Sequence, residues 1–252
     1  MYATFKYRTK RLKRGMLAKL ALASPRFEPL LATPAPLASM EFRHQQGGKD
    51  LMIFLPGIGD LAEDFERQGF IDDMWEHGMT ADALALDAHY GYYARRMIHD
   101  RMAEDAILRG RKAGYERIWL AGVSLGGFGA ASYAARFPSH VHGLVLLAPY
   151  LGDDGLIREI GSAGGLQEWK PGAIAEDDYP RVLWRWLKRY SSQSAPHPRI
   201  YLGYGAGDRF ATANALLGQV LPARQVFAIP GKHDWETWQR IWKLFLAQRV
   251  AP

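Results

Sequence analysis

From about residue 50 onward, short apolar runs alternate with longer mixed stretches. Asp50 to Pro56, Ala83 to Ala88, Arg117 to Val123 and Val141 to Pro149 are nearly continuous in apolar residues, the pattern of strands buried on both faces. Between them, Leu61 to His77, Ile98 to Ala113 and Leu125 to Phe137 read as helices. Continuous apolar strands separated by helices predict an α/β fold, with a mostly parallel central sheet and helices on both of its faces. The alternation lapses over residues 151–198, where glycines, Pro171, the acidic Glu176-Asp177-Asp178 and the aromatic Trp184-Arg185-Trp186 gather. It resumes with Arg199 to Gly205 and Arg224 to Ile229 and closes on a helix from Trp235 to Arg249. Residues 151–198 therefore read as an insertion. Within it Val182, Leu183, Trp186, Leu187 and Tyr190 have near-helical spacing, suited either to a lid over a site or to plain packing.

Ahead of this pattern, Pro25, Pro29, Pro34 and Pro36 mark residues 24–38 as an extended linker, so the folded domain is expected to begin near Ser39. The organisation expected is a basic tail and proline-rich linker over residues 1–38, then one domain over 39–252 with a lid insertion at 151–198. With 252 residues, 48% of them hydrophobic, the chain can build one large core. The net charge of +6 resembles a nucleic-acid signal until it is located. Seven cations and no acid lie in residues 1–19, leaving the rest of the chain with one net negative charge. No nucleic-acid partner is expected. The tail reads as a solvated segment, or else as an amphipathic helix with Leu12, Met16, Leu17 and Leu20 near one face, giving residues 1–20 a weak contact with a membrane surface. Ala21-Leu22-Ala23 imitates a signal-peptidase site, but the apolar run before it is short and broken by Lys19. A cytoplasmic location is expected, with membrane association as an added role and cleavable export disfavoured. Nothing in the sequence sets an oligomeric state.

The absence of cysteine removes thiolate nucleophiles and cysteine metal sites. Serine chemistry gains from that, because Arg117 to Ala121 leads directly into Gly122-Val123-Ser124-Leu125-Gly126-Gly127. A strand that turns into a helix through G-x-S-x-G holds its serine on a sharp bend with the hydroxyl exposed above the sheet edge. Nine serines and 26 glycines in 252 residues give about 0.1 chance matches, so the strand before and the small-residue helix after carry the argument. Ser124 is the candidate nucleophile.

A serine hydroxyl is weakly nucleophilic near neutral pH and needs a histidine base oriented by a carboxylate. In folds with this elbow the order is serine, acid, histidine. His233 is the one histidine after position 197 and follows the strand-like Val226 to Ile229. Asp208 follows the strand running into Gly203-Tyr204-Gly205-Ala206-Gly207, 25 residues before His233. Asp153 or Asp154, one strand earlier, competes for the acid, whereas Asp234 is poorly placed to reach the Nδ1 of its own neighbour. The oxyanion donors expected are the N–H of Leu125 and, after the strand ending at Pro56, the N–H of Ile58, with Gly57 as the alternative. His140 and His142 lack a nearby carboxylate, so no metal is expected. His89 to Tyr93 is a candidate pocket lining, and Arg95 and Arg96 are candidates to meet an anionic group, though a solvated helix start is favoured.

Together, Gly122 to Gly127, Pro56-Gly57-Ile58-Gly59, Gly207-Asp208 and Gly231 to Trp238 resemble the α/β-hydrolase superfamily in order over residues 40–252. The histidine segment is similar to that of esterase D-like and mycolyltransferase-like esterases. Pro56 stands where many members carry a histidine before the oxyanion glycine. The resemblance implies carboxylic-ester hydrolysis, or acyl transfer with the same residues, on a small-molecule ester or acyl substrate without metal or organic cofactor. A non-catalytic binding module on the same fold is the rival from another class.

Overall fold

The computed structural model describes residues 2–192 and 198–250, which fall into two compact units divided after Ile118. The strands are β1 (Ser39–Phe42), β2 (Asp50–Leu55), β3 (Asp82–Leu86), β4 (Arg117–Val123), β5 (Gly143–Leu147), β6 (Arg199–Gly205) and β7 (Val226–Ile229). The first unit holds helices α1 (Tyr2–Ala23), α2 (Glu63–Arg67), α3 (Phe70–Glu76), α4 (Tyr90–Ala94), α5 (Ile98–Met102) and α6 (Leu108–Lys112). The second holds α7 (Leu125–Arg136), α8 (Asp154–Ser162), α9 (Tyr179–Leu187), α10 (Ala211–Gly218) and α11 (Trp235–Val250).

In the second unit four parallel strands run in the order β4, β5, β6, β7, with Val123 opposite Leu147, Leu147 opposite Gly203 and Gly205 opposite Ile229. Every residue of β5 is buried, as is β4 from Ile118 onward, as expected for parallel strands covered on both faces. Each fully buried leucine of these strands contributes about 2 kcal/mol relative to exposure. Because the strands are in register, their C-terminal ends finish together, and the loops that leave them share one rim. In the first unit β2 pairs parallel with β3, and β1 pairs antiparallel with β3. Within each unit every strand pairing except that of β1 is parallel, as the apolar runs predict.

Residues 151–198 contribute α8 and α9 to the second unit. Leu183, Trp184, Trp186 and Leu187 are buried, and the Trp184 indole donates to Leu151 O at 2.6 Å, so the apolar face of α9 is spent on packing. Glu159 and Arg181 join α8 to α9. Gln193 to His197 lie outside the described residues.

The N-terminal region differs from the solvated tail and linker that its composition favours. Residues 2–23 form one helix held to its own unit by ion pairs that are distant in sequence. Arg14 reaches both oxygens of Asp87 at 3.0 and 2.9 Å, Arg11 reaches Asp60 at 2.7 Å, and the Tyr7 hydroxyl donates to Asp64. Burial raises the Asp64 carboxyl pKa, opposed by Tyr7, the Leu61 N–H and Arg11. The same burial and the Asp64 partner push the Tyr7 hydroxyl up to about 12. The proline-rich segment is docked as well. Leu31 and Leu37 are buried, and Leu37 N–H donates to Asp105 at 2.8 Å.

Candidate active site

The serine is placed by a bend that few L-residues adopt. Ser124 lies between β4 and α7 with φ 53° and ψ −114°. Such a conformation costs on the order of 1–3 kcal/mol and persists only where its surroundings impose it. Here they do so through both backbone polar groups: Ser124 N–H donates to Leu147 O at 2.9 Å, and Tyr150 N–H donates to Ser124 O at 3.0 Å. Gly122 is required for a related reason. A Cβ there would lie 2.3 Å from the carbonyl oxygen of Gly126, which is backbone and cannot swing away.

His233 and Asp208 come from the ends of β7 and β6. Their loops are joined where Ala206 N–H donates to Ile229 O at 2.7 Å and Gly207 N–H to Gly231 O at 2.9 Å. Only a glycine at 205 permits that approach, since its Cβ would stand 2.5 Å from the Gly231 carbonyl. His233 Nε2 then lies 2.9 Å from Ser124 Oγ, and His233 Nδ1 lies 2.7 Å from Asp208 Oδ2. The second carboxylate oxygen of Asp208 accepts the Phe210 N–H at 2.7 Å. With both oxygens occupied and the side chain fully buried, the carboxylate has one orientation. This arrangement leaves Nδ1–H pointing at Asp208 and the Nε2 lone pair at the serine hydroxyl.

Two rings hold the imidazole edgewise, Phe210 at 5.1 Å and Trp238 at 5.0 Å between ring centroids. The sequence gives neither ring this role, although Trp238 closes the motif around His233. Trp238 stands five residues after His233 on α11 and Phe210 two after Asp208, a proximity that hints at contact but does not specify it.

The competing carboxylates are occupied elsewhere. Asp153 caps α8, accepting from Leu156 N–H at 2.9 Å, and Asp154 is the first residue of that helix. Asp234 caps α11, accepting from Thr237 N–H at 3.0 Å, and that hydrogen bond holds its carboxyl below the usual range. Leu125 is the first residue of α7, where helical N–H groups lack partners within the helix and the dipole is positive. Ile58 sits in the first unit, in the turn that Asp60 N–H closes on Gly57 O at 3.1 Å.

The remaining candidates serve the fold. His140 stacks on Phe137 and meets the Tyr133 hydroxyl at 2.9 Å, while His142 lies against Trp119. Among the described residues no three His, Cys, Asp or Glu side chains gather as a metal site would need. His89 caps α4, and Arg95 donates to Thr33 at 2.8 Å within the docked N-terminal segment.

Residues 50–194 match the family described as alpha/beta hydrolase fold, more than half of the chain. The chain belongs to the α/β-hydrolase family. Its similarity to solved structures extends further along the sequence. S-formylglutathione hydrolase from Staphylococcus aureus is 16% identical with a TM-score of 0.55, over 83% of each chain. Est1E from Butyrivibrio proteoclasticus is 19% identical with a TM-score of 0.53, over 85% of this α/β-hydrolase and 94% of Est1E. A monoacylglycerol lipase from Paleococcus ferrophilus is 17% identical with a TM-score of 0.52, over 85% and 99%. At these identities the likeness is one of fold. No curated protein matches the sequence.

Proposed function

We propose that this α/β-hydrolase is a serine esterase that cleaves a carboxylic ester or thioester of a small or acyl-chain substrate through an acyl-enzyme. One observation carries the reading: Ser124 Oγ, the two nitrogens of His233 and Asp208 Oδ2 form a continuous hydrogen-bonded line, 2.9 and 2.7 Å long, ending on a buried carboxylate.

In this reading Ser124 Oγ attacks the ester carbonyl carbon while His233 Nε2 takes the hydroxyl proton. Asp208 fixes the imidazole in the tautomer that can accept that proton and stabilises the imidazolium that results. The Leu125 N–H, at the positive end of α7, receives the charge that develops on the carbonyl oxygen. Collapse of the tetrahedral adduct breaks the bond to the alcohol, which leaves with the proton from His233 and keeps Ser124 acylated. Water, deprotonated by His233, then attacks the acyl carbon, and the acid departs as Ser124 regains its proton. A small-molecule substrate is supported by a neighbour in fold, since a structure of Est1E holds ferulic acid.

The test is turnover of p-nitrophenyl esters by Ser124→Ala. The variant is expected to keep the wild-type melting temperature and lose at least about a thousandfold in kcat/KM. Unchanged turnover would remove Ser124 from the chemistry.

A further inference from the structure

Helix α1 is anchored along one side and unpartnered along the other. Arg14, Arg11 and Lys10 are paired inward with Asp87, Asp60 and Glu63. The opposite side exposes Phe5, Leu12 and Met16, at 70%, 75% and 56% of their full areas. At about 3.6 residues per turn these positions fall on one narrow stripe, with Arg8 and Lys19 along one edge and Lys6 and Lys13 along the other. All four cations are exposed and have no ion-pair partner among the described residues. Beside the stripe, between α1 and the Gly59-Asp60 turn, lies an open groove of about 840 Å³ lined by Leu12, Met16 and Leu20 and rimmed by Arg8 and Lys19.

An exposed apolar stripe bordered by cations on both edges matches the depth profile of a lipid headgroup region. The apolar side chains sink toward the acyl boundary, and the long basic chains reach sideways and up to anionic headgroups. A nucleic acid offers the charge without the apolar depth. The contact would lie in the plane of the surface, because no helix among the described residues is long and apolar enough to cross a membrane. The charge distribution agrees: residues 1–19 carry seven cations and no acid, and only this outward set is left unneutralised. We infer that the outer face of α1 docks this protein on an anionic lipid bilayer. Ion pairs on the inner face hold the helix in place, so docking requires no folding step and incurs little ordering cost.

The test uses the full-length protein in flotation with vesicles of phosphatidylcholine alone and with phosphatidylglycerol in equal parts. Binding to the anionic vesicles is expected to be at least about tenfold tighter and to weaken with added salt. Leu12→Ser combined with Met16→Ser, and separately Lys13→Glu combined with Lys19→Glu, should each lower it at least about tenfold while the melting temperature holds. Equal binding to the two vesicle types, no binding to either, or undiminished binding by the folded Leu12→Ser/Met16→Ser variant would overturn the inference. Ser124→Ala should float like the wild type, so a failure of the esterase reading and a failure of docking are read separately.

Discussion

At the scale of single residues, the site assigns different tasks to chemically identical side chains. Asp208 and Asp153 both follow strand ends in the second unit, yet one meets a histidine and the other a helix N-terminus. Asp208→Asn should fold and lose roughly 10³- to 10⁴-fold in kcat, because the amide cannot hold the imidazole in the useful tautomer. Asp153→Ala should keep kcat and lose only about 1 kcal/mol of stability, the usual worth of a cap. The reverse pattern in steady-state kinetics and urea unfolding would exchange their roles. His89 gives a prediction of another kind. Its Nδ1 accepts the Gly91 N–H at 3.1 Å and its Nε2 donates to Ala32 O at 3.0 Å, an arrangement only the neutral ring can make. Burial, reinforced by the charge of Arg14, lowers its pKa from 6.5 to about 4. Above pH 6.5 the ring is neutral folded or unfolded; between 6.5 and about 4 the unfolded chain binds a proton that the folded protein refuses. Stability therefore falls as the pH drops through that window. His89→Asn, which keeps a capping oxygen, should flatten the melting temperature across it; an unaltered slope would show that His89 contributes nothing there.

At the scale of elements, the site depends on how strands end. Strand β4 passes into α7 through Ser124 alone, and the elbow closes only because Gly122 leaves room for the Gly126 carbonyl. Gly122→Ala should therefore cost about 1–3 kcal/mol in urea unfolding and reduce ester turnover sharply, since any relief moves Ser124. A variant as stable and as active as the wild type would show that the elbow can relax. This part of the architecture was legible in the sequence: β4 and β6 occupy the spans that their apolar runs mark, and G-x-S-x-G sits between strand and helix. Strand β1 and helix α10 are among the elements that were not. Strand β1, only Ser39–Phe42, is too short to show an alternation and is half-exposed at the antiparallel edge. Helix α10, Ala211–Gly218, is mostly alanine and leucine, with no polar stripe to reveal its period.

At the scale of the whole chain, the sequence separates what is local from what is not. The closeness of Ser124, Asp208 and His233 could be anticipated because each is tied to the end of a recognisable strand and strand ends in a parallel sheet share a rim. The rings of Phe210 and Trp238 that brace His233 depend on loop paths that no short-range pattern encodes. The same holds for α1, whose composition reads as a solvated tail. Its partners Asp60, Asp64 and Asp87 lie 49 to 73 positions away, so the pairing exists only in the folded unit. The central claim is that Ser124, His233 and Asp208 act as one nucleophilic unit, and mass spectrometry of the intact protein and of its peptides after treatment with a fluorophosphonate tests it most directly. A single phosphonyl adduct on the peptide containing Ser124, missing in Ser124→Ala and strongly slowed in His233→Ala, is the result predicted. A wild-type protein that stays unlabelled, or a Ser124→Ala variant labelled as fast as the wild type, would contradict it.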